Sequence, residues 1–148
     1  MRAFAAFLVI GVAVVGAVFS ADPPLSHGVS GAPIVWSDWV SKRGPVAVVV
    51  WASWAPDAEQ VLSEYDEIAK AAEKQGLNVF LLDVQETLEQ GRAALDQSEL
   101  TWLHDRHGAL LKQYRVIRVP SVLIVAADGS GLGAIDASVE ALAGWGPQ

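Results

Sequence analysis

Hydrophobic positions along this chain fall into distinct patterns, and each pattern predicts a different element. Val46-Ala47-Val48-Val49-Val50-Trp51 is an unbroken, β-branched run without polar alternation, the mark of a strand buried on both faces. Asn78-Val79-Phe80-Leu81-Leu82-Asp83-Val84 and Pro120-Ser121-Val122-Leu123-Ile124-Val125 predict two further strands. Between the first two runs, Val61, Leu62, Tyr65, Ile68, Ala69 and Ala72 recur at helical spacing and make one apolar face. Pro56 opens that helix as a first-turn residue. Asp57 and Glu59 stand where the positive end of the helix dipole favours acids, and Gly76 closes the helix as a C-cap. Strand, helix and strand in this order form a right-handed parallel crossover. Strands buried on both faces need helices on both sides, so the fold class is α/β.

The remaining patterns are weaker. Residues 86–97 predict a second helix with Leu88, Ala94 and Leu95 inward, although Gly91 lowers its propensity. Residues 108–114 predict a short third helix. Asp128-Gly129-Ser130-Gly131 is a turn, after which residues 132–135 pair back as an antiparallel edge and residues 137–143 close the domain as a helix. Residues 22–33 are rich in Pro, Ser and Gly and read as a tether. The chain divides accordingly into a leader (1–21), a linker (22–31) and one domain (32–148), with no internal repeat.

Residues 3–19 form an uncharged apolar run behind Arg2. Its length sits at the lower edge of the roughly 17 to 25 residues that cross a bilayer. The run is either an export signal, cleaved after Ser20, or a short membrane anchor. In both cases Arg2 stays inside and the domain lies outside the cytoplasm, on the periplasmic side, with the membrane as a partner of the N-terminal segment. No position in the run offers a polar face, so it does not read as a core helix.

Composition narrows the chemistry. The 148 residues include six Trp and no Cys, and carry a net charge of −7. The acidic balance speaks against nucleic acid as a partner, where a basic patch is the usual footprint. The absence of cysteine excludes structural disulfides, thiolate metal sites, cysteine nucleophiles and a lipidated cysteine anchor.

That absence is most telling in Trp51-Ala52-Ser53-Trp54-Ala55-Pro56-Asp57-Ala58. With cysteine at 55 and 58 this stretch would be the redox motif of thioredoxin-like proteins. Its order of elements resembles the thioredoxin fold, three layers with a central mixed sheet and helices on both faces. The particular flavour resembles the exported or membrane-anchored TlpA and ResA type of thiol–disulfide oxidoreductase. Four segments carry the resemblance: Gly31-Ala32-Pro33-Ile34-Val35-Trp36-Ser37-Asp38 as an entry hairpin, residues 48–58 as the active-site strand and turn, residues 101–114 as an inserted segment, and residues 114–129 as the loop, cis-proline strand and turn. The resemblance implies a thiolate at an N-cap, here Ala55, and a resolving cysteine one turn along, here Ala58. Disulfide exchange needs a thiolate, and no neighbour supplies one. The acid that assists proton transfer in thioredoxins proper has Val49 in its place.

The resemblance also implies that the Val119–Pro120 bond is cis and that the backbone of Val119 pairs with an extended peptide as in strand addition. Trp54 and Pro56 would floor that groove. The plainer expectation is that Pro120 only begins a strand and Trp54 only packs. His104 and His107, with Asp105 between them, stand at a spacing metals use, but without a third ligand nearby they read as a polar loop. Asp83 is either a perturbed acid at the edge of the sheet or a strand-end cap. Glu59, Glu64, Asp66 and Glu67 read as the solvated face of the first helix. No cofactor or metal is implied.

Three functions remain open from these residues. One is a redox-inactive module that binds a protein or extended peptide partner in the envelope. The second is a protein disulfide reductase inactivated by Cys-to-Ala changes at 55 and 58. The third is metal or small-ligand binding on a reused fold.

Overall fold

The computed structural model describes residues 22–146. Seven strands form one mixed sheet in the order β2-β1-β5-β4-β3-β6-β7. At its centre, β3 (Val46–Trp51) runs parallel to β4 (Asn78–Val84) and antiparallel to β6 (Ser121–Val125). Every residue of β3 and β6 is buried, as their unbroken apolar runs require. The outer strands are β1 (Leu25–His27), β2 (Pro33–Ile34), β5 (Trp102–Asp105) and β7 (Gly131–Ile135).

Alternation along the central strands divides the interior into two cores. Val46, Val48, Val50, Phe80 and Leu82 face one way, toward α1 (Trp36–Arg43) and α5 (Ala109–Tyr114). Ala47, Val49, Trp51 and Leu81 face the other, toward α2 (Ala58–Ser63), α3 (Tyr65–Lys74), α4 (Leu88–Leu95) and α6 (Val139–Gly144). Helices therefore cover both faces of the sheet, the three-layer arrangement expected.

Several elements depart from the sequence reading. The tether contains a strand: β1 pairs antiparallel with β2 and with β5. Its small residues serve packing, because a Cβ at Gly28 would lie 2.2 Å from the Trp102 ring. Arg92 then holds the loop by donating to the carbonyls of Gly28 and Val29. Residues 36–43 form a helix where only an entry hairpin was expected. It places Trp36, Trp39 and Val40 in the core and ends at Gly44, whose φ of 70° requires glycine.

The long first helix is broken at Glu64 (φ −99°, ψ 3°) into α2 and α3. It begins at Ala58 rather than Pro56, because Asp57 adopts a left-handed conformation (φ 61°). In α4, Ala94 is exposed, and the inward position is Gly91. The leader lies outside the described residues. Among the described residues, no helix is long and apolar enough to cross a membrane.

Candidate functional site

The carboxyl ends of β3 and β4 carry the thiol-free motif. Ala55 donates its backbone N–H to the Ala52 carbonyl (3.1 Å), and Ala58 donates to the Ala55 carbonyl (3.3 Å), so the motif folds as successive tight turns. The N-cap of the following helix falls on Asp57, not on Ala55 as the family resemblance implies. Both methyls point inward. Ala55 is 7% exposed and joins the α1/α5 core, whereas Ala58 is 8% exposed and joins the opposite core. The Ala58 carbonyl accepts from the Trp51 indole N–H (2.9 Å), which locks the turn onto its own strand.

A second tie comes from the segment just after β4. Glu86 accepts from the Ser53 backbone N–H (2.9 Å) and from the Ser53 hydroxyl. Burial alone would raise the Glu86 carboxyl; the neighbouring Asp83 carboxyl and the hydrogen bonds from Ser53 oppose it and bring the group below its usual range. The backbone carbonyl of Glu86 lies 2.8 Å from His104 Nε2. A carbonyl only accepts, so His104 carries its proton on Nε2.

Asp83 lies between these groups, on the same face as Trp51 and His104, its partners in register. It is wholly buried, and neither carboxyl oxygen meets full hydrogen-bond geometry. Burial first, then the neighbouring Glu86 carboxyl, pushes its pKa up to about 10. Asp83 is therefore a neutral acid near pH 7, close enough to Glu86 to perturb it. The strand-end capping expected of it does not occur. Helix α4 closes directly over it, where a Cβ on Gly91 would lie 2.2 Å from Oδ2.

The polar loop expected at 104–107 is in part β5, and its residues diverge in role. His104 is buried and His107 is exposed. Asp105 caps α5 by accepting from the N–H groups of Ala109 (2.8 Å) and Leu110 (2.9 Å). Among the described residues, no cluster of three or more His, Asp or Glu is arranged to hold a metal.

The four residues expected to line one groove are divided between two, with Val119 common to both. The Val119–Pro120 peptide bond is cis. Pro56, Val119 and Pro120 border one open groove of 690 Å³. Trp54 and Val119 border a second, of 560 Å³, on the other side of the same loop. Trp54 is 52% exposed, and its indole N–H donates to the Gln85 carbonyl (3.2 Å). Ile117, in the same wall, is 97% exposed. Sequence reading missed Ile117 and the Ser53–Glu86 tie. Ile117 looked like part of the approach to a strand, and Glu86 like the start of a helix.

These features define a class: a thioredoxin-like protein with a cis-proline loop beside the motif turn, and no thiol in either. The chain belongs to the AhpC/TSA family, whose pattern matches residues 19–130. No curated protein matches it in sequence. In fold it is similar to the pneumococcal exposed lipoprotein thioredoxin of Streptococcus pneumoniae, with a TM-score of 0.60 and 22% identity over 82% of this chain and 95% of that one. It is also similar to a secreted disulfide oxidoreductase of Mycobacterium tuberculosis homologous to E. coli DsbE (TM-score 0.59, 18% identity, 82% and 91% covered). A putative thiol:disulfide interchange protein DsbE from Chlorobium tepidum shares the fold as well (TM-score 0.60, 18% identity, 81% and 86% covered).

Proposed function

We propose that this protein is an extracytoplasmic binding module that holds an extended segment of a protein partner against Trp54, Pro56, Val119 and Pro120, without thiol exchange. The observation that carries the reading is the exposed apolar wall of Trp54 and Ile117, facing an open groove beside a motif that has lost both thiols. Large apolar side chains left in solvent at one place mark an interaction site more often than scattered ones do. The uncharged run behind Arg2 supports the location, as do the exposed and secreted proteins that share the fold.

The test is a titration of the isotopically labelled protein with short extended peptides, followed by NMR. The Trp54 indole N–H and the Val119 amide are expected to shift together and saturate. Shifts confined to other surfaces, or none, sink the reading.

A second reading has its own support. The alanines occupy both thiol positions in a turn that keeps the Ala55-to-Ala52 and Ala58-to-Ala55 hydrogen bonds, as expected of a reductase disabled by Cys-to-Ala changes at 55 and 58. Reading codons 55 and 58 of the native gene separates the two: cysteine codons make the chain a disabled reductase, and alanine codons remove that reading.

A further inference from the structure

The loop that ends in Pro120 divides two grooves of opposite charge. The groove beside Pro56 is bordered by five carboxylates, Asp57, Glu64, Glu67, Asp136 and Glu140. Its one cation, Arg118, is already paired with Asp136. The groove beside Trp54 has no acid in its wall; its charged members are Lys112, Arg115 and Arg118. Lys112 and Arg115 are exposed, and neither takes part in an ion pair among the described residues. A concentration of cations around an apolar floor is unexpected in a chain of net charge −7. Arg118 is already matched by Asp136, so the complement to Lys112 and Arg115 comes from whatever occupies the groove.

We propose that the Trp54 groove selects an acidic, apolar peptide segment, its carboxylates set against Lys112 and Arg115 and its apolar side chains against Trp54 and Ile117. The acidic wall beyond Val119 turns away continuing acids, so the segment's negative charge lies only on the Trp54 side. The inference rests on the groove reading above and adds the chemistry of the occupant. The leader of this chain does not fit, since its only charged side chain is Arg2.

The probe is a short fluorescent peptide alternating valine and glutamate, compared with the same peptide carrying glutamine for glutamate. Wild-type protein is expected to bind the glutamate peptide more tightly and to weaken as salt rises. Lys112→Gln with Arg115→Gln, both at exposed positions, is expected to lower that affinity about tenfold, and to leave the glutamine peptide unaffected. Trp54→Ala is expected to weaken both peptides. Equal, salt-independent binding of the two peptides overturns the charge selection and leaves the groove standing. Binding of neither overturns both.

Two controls separate other occupants. Vesicles of phosphatidylcholine and phosphatidylserine that bind wild type but not the double variant, with no peptide binding, would replace the peptide with a lipid surface. A concentration-dependent dimer abolished by the double variant would replace it with the acidic Pro56 groove wall of a second copy. Either result overturns the proposal.

Discussion

Gly91 and Asp83 show how much one residue can depend on another that is distant in sequence. In the helix pattern Gly91 is a weak point; in the fold it is the only residue type that fits over the Asp83 carboxyl. Gly91→Ala is expected to cost roughly 1 to 3 kcal/mol through overpacking, read as a lower urea midpoint at unchanged slope. Asp83 carries its own pH dependence. Its folded value, about 10, lies above its unfolded value of 3.8. The native state therefore keeps a proton that the unfolded chain has lost, and stability falls as pH rises between those two values. Urea midpoints taken from about pH 5 to about pH 9 are expected to decline, and the decline is expected to flatten in Asp83→Asn, which stays neutral throughout. An equal slope in both proteins would show that Asp83 is ionised in the fold.

At the scale of elements, two carboxylates act as ties between segments. Asp105 ends β5 and satisfies the first free N–H groups of α5, a helix of six residues with no side-chain cap of its own. Asp105→Ala is expected to destabilise the domain by about 1 to 2 kcal/mol, measured by chemical unfolding. Glu86 ties the motif turn to the segment following β4 through both polar groups of Ser53. Glu86→Ala leaves the Ser53 N–H without its acceptor, so its amide is expected to exchange with deuterium faster than in wild type, while amides of β3 keep their protection. Uniformly faster exchange would mean global destabilisation instead of a released turn. Sequence pattern revealed neither tie. A single Asp or Glu at a strand end has no period, and its partner is chosen by how the next segment folds back.

For the molecule as a whole, the missing thiols are the central chemical fact. Protein as it stands is expected to show no insulin reduction above buffer. The hydrogen bond from Ala58 N–H to the Ala55 carbonyl closes a four-residue turn, whose end Cα atoms lie within about 7 Å; the two methyls join opposite cores, so a disulfide forms there once the turn shifts to bring the two Cβ atoms together. Ala55→Cys with Ala58→Cys is therefore expected to form that bond on oxidation, with no thiol titratable before reduction and both titratable after it. Persistent free thiols would show that the turn has drifted from a redox geometry. By itself the sequence determined the α/β class, the central strands, the proline loop and the absence of any thiol. Unbroken β-branched runs, helical periodicity and the presence or absence of a sulfur are local properties of the chain. Tertiary structure alone decided that the small-residue segment before the domain becomes a strand, and that Trp-Leu-His-Asp at 102–105 is buried. It also decided that Asp83 is sealed neutral under Gly91 and that the two grooves differ in sign. Each of these depends on which distant residues share a strand register or a loop wall, and that is settled only when the sheet closes.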